Sequence, residues 1–182
     1  MPSRLRVPLG YAVGLLVLLL LRPTPISLLL GLPLGVIGEA IRIWASGHID
    51  KTRSLATGGP YAFTRNPLYL GSLLLALGVA VASSSLWVFL AVAAYLAAFY
   101  PSVMREEAGF LREKFALEYV AWAAAVPAFL PRLTPGGPRA SRFTWERVGR
   151  NREWRTAFGL LVVAALLYLT LYVRHLPAAP TL

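Results

Sequence analysis

Two short stretches of this chain gather side chains able to bind and position a polar ligand. The first runs from Gly58 to Gly71 and carries Gly59-Pro60-Tyr61, Arg65-Asn66-Pro67 and Tyr69. Glycine accepts backbone angles that other residues avoid, while proline fixes its own and lacks an N–H, so Gly58-Gly59-Pro60 breaks whatever precedes it. Asn66 reads as a helix N-cap and Pro67 as the first helical residue, where the missing donor costs nothing. The free N–H groups and positive dipole end of that helix then face Arg65, Tyr61 and the glycines, a setting suited to an anionic or strongly polar ligand. The same residues also suffice for a plain turn into a membrane.

The second stretch is Glu106-Glu107. Two adjacent carboxylates at the end of an apolar helix are unexpected, because the negative dipole end repels acids. Arg65 and Arg105 could balance them inside the protein, or a ligand offering a cation or hydroxyl groups could do so. Glu39 and Arg42, three residues apart, share a helix face and form either a structural ion pair or the wall of a polar pocket. His48 stands near the first stretch as a structural group or as an acid–base residue. The chain has no cysteine, which excludes disulfides and thiolate chemistry, and with only His48 and His175 no histidine metal site is expected.

The elements that must position these groups are membrane helices. Of the 182 residues, 57% are apolar and 14% charged, and the mean hydropathy is +0.62, values that fit an integral membrane protein. The net charge of +10 comes without a basic helix interleaved with stacking aromatics, so anionic lipid headgroups and not nucleic acid are the expected partner. Val7 to Leu21 forms a first span, retained and not cleaved, since no small-residue cleavage pattern precedes Arg22-Pro23. Ile26 to Ala45 returns as a second span, making a hairpin over 7–45, with Gly31, Gly35 and Gly38 allowing close helix contact and Pro33 a kink. Pro67 to Ala82 and Leu86 to Met104 form the third and fourth spans, with Pro101 bending the latter near its end. Arg105 to Ala125 mixes charge with Phe, Leu and Trp and reads as an amphipathic helix on the membrane surface. Thr156 to Val173 makes a fifth span after the arginine-rich loop from Arg139 to Arg155. The fold class is therefore all-α, a membrane bundle of about five helices with a cytoplasmic amphipathic helix, in one domain whose core covers 46–131.

Placing the N-terminus, the loop from Arg42 to Arg65 and the segment from Arg105 to Arg155 on the cytoplasmic side puts 16 of the 18 Lys and Arg there, leaving Arg22 and Arg174 outside. Both chemistry-bearing stretches then meet at one membrane face. The preference for arginine over lysine points to a bacterial inner membrane.

The pattern Gly59-Pro60-Tyr61, Arg65-Asn66-Pro67, Tyr69 and Gly71, followed about 35 residues later by Glu106-Glu107, Leu111, Phe115, Tyr119 and Val126-Pro127, resembles the isoprenylcysteine carboxyl methyltransferase and phospholipid methyltransferase superfamily. The resemblance covers roughly Trp44 to Pro131. It implies S-adenosylmethionine bound at the cytoplasmic face and a lipophilic or prenylated acceptor entering from the bilayer, with an isoprenylcysteine-type carboxylate the first expectation. The cofactor-binding residues it implies are Gly59, Pro60, Tyr61, Arg65, Asn66, Pro67, Tyr69, Gly71, Glu106 and Glu107, with Arg65, Asn66 and Glu107 catalytic. Tyr61, Phe63 or Tyr69 would face the sulfonium through cation–π attraction. One position departs from the family box: Asn66 stands where a histidine is usual, and asparagine hydrogen-bonds but does not titrate. Other acceptors, such as a phospholipid headgroup amine, remain open, as do a nicotinamide-dependent membrane reductase of similar core and a non-catalytic protein whose basic loop holds anionic lipid. The segment from Asn151 to Arg155 lies beyond the resemblance.

Overall fold

The computed structural model describes residues 2–50, 54–137 and 141–174, with side chains from residue 8 onward. Lys51, Arg53, Arg139 and His175, counted or named in the sequence reading, lie outside the described residues. Among the described residues six helices follow one another: α1 (Pro2–Leu19), α2 (Pro25–Ser46), α3 (Pro67–Ser83), α4 (Leu86–Ala125), α5 (Trp145–Arg150) and α6 (Trp154–Arg174), with a 3-10 turn at Gly59–Ala62. α2, α4 and α6 are long and apolar enough to cross a membrane, and Pro8–Leu19 and α3 are apolar and shorter. The chain is an all-helical integral membrane protein.

The pairing of α2 with α3 organises the bundle, and small residues make it. A Cβ on Gly31 would lie 2.5 Å from the Gly78 carbonyl oxygen, and one on Gly38 would lie 2.5 Å from the Leu75 nitrogen. The two backbones therefore touch along antiparallel helices, and no larger side chain fits between them. Local capping fixes the ends of this pair. Ser27 N–H donates to Thr24 Oγ1 at 3.1 Å and Thr24 N–H to Ser27 Oγ at 2.9 Å, a reciprocal cap with Pro25 at the first helical position. Ser27 Oγ also donates to the Ala82 carbonyl at 2.9 Å, joining the start of α2 to the end of α3.

The sequence reading paired the first two spans as a hairpin, but α1 packs against α4, where Gly10 lets Tyr95 approach. Val17, Leu28, Ala82, Val88, Leu96 and Leu167 close the apolar core between them. A second difference concerns α4. The expected fourth span and the start of the surface helix run together as continuous helix through Phe115, because no glycine or proline interrupts the stretch from Ser102 to Ala108 where the composition changes, and a second helical segment follows a kink at Ala116. The only non-helical backbone in α4 is at Ala116, with φ 38° and ψ −111°, so the amphipathic segment turns there, beyond Pro101.

Candidate active site

One cavity of about 1080 Å³ opens where the two chemistry-bearing stretches meet. The turn before α3 contributes Tyr61, Arg65 and Asn66 to its wall, and α3 itself contributes Leu68, Tyr69 and Ser72. From α4 come Met104, Arg105, Glu107, Leu111, Phe115, Tyr119 and Trp122, while Asp50, Leu55 and Ala56 supply the loop side and Arg42 the end of α2.

The turn is held by backbone pairing with the segment that follows α4. Arg65 N–H donates to the Pro127 carbonyl at 2.9 Å, Thr64 Oγ1 to that of Phe129 at 2.8 Å and Asn66 Nδ2 to that of Ala128 at 2.8 Å. Pro67 does begin α3 as expected, but Asn66 makes no side-chain cap, since its amide is committed to Ala128. Trp122 Nε1 donates to the Tyr61 carbonyl at 3.0 Å, and Tyr119 packs edge-on to Trp122. These contacts fix Tyr61 in place with its side chain buried. Burial first, and the nearby Glu107 charge second, push the Tyr61 phenol well above its usual range, so it stays a neutral hydroxyl.

Arg65 carries a buried donor with no partner. Its guanidinium donates to the Tyr119 hydroxyl at 3.4 Å, and its buried Nε has no hydrogen-bond partner. A buried donor left without an acceptor costs about 1–3 kcal/mol, so the arrangement favours an acceptor brought by a ligand. Glu107 lies on the wall and is exposed to the cavity mouth, whereas Glu106 is exposed and off the wall. Neither pairs with Arg65 or Arg105 in the ion pairs formed among the described residues.

The cavity thus brings together Tyr61, Arg65, Asn66, Tyr69 and Glu107 of the expected residues. Gly59, Pro60, Pro67 and Gly71 stand behind them as packing. Gly59 has φ +55°, and a Cβ there would meet the His48 ring at 2.3 Å; Gly71 lies against Gly38 and the Arg42 stem. Phe63 packs on Trp44 at 6.3 Å and is not on the wall. His48 is buried behind the glycines, with Nδ1 2.9 Å from the Trp44 carbonyl oxygen, and it does not reach the cavity.

A family model described as phospholipid methyltransferase matches residues 27–118, half of the chain. The chain belongs to the phospholipid methyltransferase family. Among its relatives is the cobalt-zinc-cadmium resistance protein CzcN of Cupriavidus metallidurans, 39% identical over 108 residues, which are 58% of this chain and 48% of the relative. The nickel-cobalt-cadmium resistance protein NccN of Alcaligenes xylosoxydans xylosoxydans is 32% identical over 108 residues, 58% of this chain and 49% of that protein. Phosphatidylethanolamine N-methyltransferase B of Dictyostelium discoideum is 33% identical over 98 residues, 46% of this chain and 48% of that protein. The chain spans about half the length of the curated relatives it matches. No solved structure matches it.

Part of the support for the cavity wall comes from outside the matched region. Glu153, at the start of α6, accepts from Arg42 Nε at 2.7 Å, and Nη2 of the same guanidinium lies 2.6 Å from the same carboxylate oxygen. Glu39 lies 3.7 Å from the same guanidinium, which also donates to Ser72 Oγ and, at 3.3 Å, to Thr156 Oγ1. The expected Glu39–Arg42 pair exists, but Glu153 is the nearer acid. Asp50 is likewise engaged, by Arg147 at 3.5 Å and Arg150 at 3.6 Å. The sequence reading offered the wall of a polar pocket as one of two roles for Arg42, and it missed Asp50 as a wall residue and Glu153 as the partner of Arg42. An acid set between Arg152 and Arg155 just ahead of an apolar span was the available signal for Glu153.

Proposed function

We propose that this chain transfers a methyl group from S-adenosylmethionine to a lipophilic carboxylate of the isoprenylcysteine type, inside this cavity and at the cytoplasmic face of a bacterial inner membrane. The supporting observation is the buried, unpartnered Nε of Arg65 on the wall of a cavity that also holds Glu107. The residues present suit the cofactor: Arg65 would pair with its carboxylate, Glu107 would accept from its ribose hydroxyls or ammonium, and Tyr61 or Tyr69 would offer a ring face to the cation. When bound, S-adenosylmethionine supplies an electrophilic methyl whose leaving group is a neutral thioether.

The chain's own work is alignment and exclusion of water. Tyr61, Tyr119 and Trp122 close the inner end of the cavity as a packed aromatic group, and positioning of this kind can supply ~7 kcal/mol or more of a barrier. The charge left on the wall favours an anionic acceptor. Arg42 and Asp50 are paired internally, which leaves Arg65, Arg105 and Lys114 against Glu107. A carboxylate also needs no base to attack, in keeping with Asn66 in the histidine position. The family description and the name of the Dictyostelium relative favour a second acceptor, a phospholipid headgroup amine; Glu107 would then take up the proton. Family membership weighs against the reductase reading.

Methyl-labelled S-adenosylmethionine incubated with the reconstituted chain and either a farnesylated cysteine derivative or phosphatidylethanolamine separates these acceptors. A carboxyl ester releases its label as methanol in base, whereas an N-methyl product keeps it. Base-labile label on the farnesylated acid is expected; base-stable label on lipid alone would replace that acceptor with the amine.

A further inference from the structure

The segment from Ser141 to Arg155 has two faces with different chemistry. Its inner face is spent on the protein. Ser141 Oγ accepts from Gly58 N–H at 2.9 Å, Thr144 N–H donates to the Gly47 carbonyl at 3.0 Å, and Asn151 Nδ2 donates to the carbonyls of Ser46 and Ile49 at 2.8 and 3.2 Å. Glu153 holds Arg42, as described above. The outer face carries Arg142, Arg150, Arg152 and Arg155, all exposed, together with Trp145 at 71% and Trp154 at 59% exposure.

Among the described residues, no acid pairs with Arg142, Arg152 or Arg155. Arg150 is only loosely held, at 3.6 Å from Asp50 and 3.8 Å from Glu146. The position of this face relative to the bilayer follows from its anchors. α6 begins its apolar span at Trp154, and Asn151 is bonded to the end of α2, so two candidate membrane spans terminate at this level. Exposed tryptophans beside guanidiniums that have no acidic partner, with Arg155 lying 5.5 Å over the Trp154 ring, are at the end of a span the chemistry of a headgroup layer: the indoles sit at the boundary and the arginines pair with phosphate.

We infer that the outer face of residues 141–155 is a docking surface for anionic phospholipid headgroups, with Arg142, Arg152 and Arg155 the phosphate-pairing residues and Trp145 and Trp154 the interfacial anchors. The surface is separate from the cavity and does not depend on the reaction proposed there. Each arginine at such a surface contributes about five-fold in affinity for anionic lipid, and the effect weakens as salt screens it.

The experiment uses the full chain in an uncharged detergent mixed with phosphatidylglycerol or phosphatidylcholine, and counts the lipids retained by native mass spectrometry. Retention of phosphatidylglycerol at least ten-fold above phosphatidylcholine is expected at low salt, with the preference lost in R142Q/R152Q/R155Q and kept in Arg174→Gln at the far end of α6. A thermal melt confirms that the triple variant is folded, and if it is not, the three single variants are compared and each should lose part of the preference. Equal retention of the two lipids, full preference in the triple variant, an equal loss in Arg174→Gln, or displacement of the lipid by millimolar inorganic phosphate would each overturn the inference.

Discussion

Removing Glu153 tests whether the start of α6 holds the cavity-wall residue Arg42 in place. The Glu153 side chain is 6% exposed and accepts from Arg42 Nε, with Nη2 in ion-pair contact, and the Arg42 side chain is 18% exposed. Breaking a fully buried pair by deleting one partner costs about 3–5 kcal/mol, because the remaining charge is left uncompensated. Here the cost should be asymmetric. After Glu153→Ala, Arg42 still has Glu39 at 3.7 Å, Ser72 and Thr156, so about 2–3 kcal/mol is expected, toward the low end of that range. After Arg42→Ala, Glu39 and Glu153 both remain buried with no cation, and about 4 kcal/mol or more follows from the same rule. Glu153→Gln keeps an acceptor oxygen and should lose the least. Unfolding equilibria in mixed micelles for the single variants and Arg42→Ala/Glu153→Ala give the coupling energy, expected at about 2 kcal/mol from the range for residues in one network. Additivity within about 0.5 kcal/mol, or Glu153→Ala costing more than Arg42→Ala, would show that the pair does not carry the packing assigned to it.

Three further outcomes follow from local geometry. Gly38→Leu should abolish folded protein in a detergent-solubility assay, since its Cβ alone would lie 2.5 Å from the Leu75 nitrogen, whereas leucine at Gly14, which has open space around it, should leave yield unchanged. Ala116→Gly should stabilise by about 1 kcal/mol, raising the melting temperature by about 2–4 °C, because φ 38° strains any residue with a Cβ; a lower melting temperature would mean that α4 straightens there. The raised Tyr61 phenol is a group whose folded pKa exceeds its unfolded value of 10.0. The folded state then holds the proton longer, so its contribution is fully present below pH 10 and is lost as pH rises above it. Wild type should therefore lose melting temperature more steeply between pH 9 and 11 than Tyr61→Phe, and parallel profiles would refute the assignment.

Much of this architecture was legible because apolar length and turn chemistry are local. The five apolar segments, the start of α3 at Asn66-Pro67 and the meeting of Arg65 with Glu107 at one cavity all follow from composition and spacing. What stayed hidden is non-local. Gly31, Gly35 and Gly38 announced a close helix contact but not its partner, and the matching Gly71 and Gly78 sit on α3 and not on α1. The continuity of α4 was obscured because a change from apolar to charged side chains alters where a helix lies, not whether its backbone continues. Asn66 had the right type and place for a cap, yet the carbonyl of Ala128, 62 residues away, took its amide. Glu153 and Arg42 are separated by 111 residues, and no local pattern links them.

The most direct test of the proposed chemistry is titration of the detergent-purified chain with S-adenosylhomocysteine, which lacks the reactive methyl and reports binding alone. Wild-type protein should bind it with micromolar affinity, and Glu107→Ala should bind at least ten-fold more weakly with an unchanged melting temperature, since Glu107 is exposed and forms no ion pair among the described residues. A folded wild-type sample that takes up no S-adenosylhomocysteine would contradict the cofactor, and equal binding by Glu107→Ala would contradict the site.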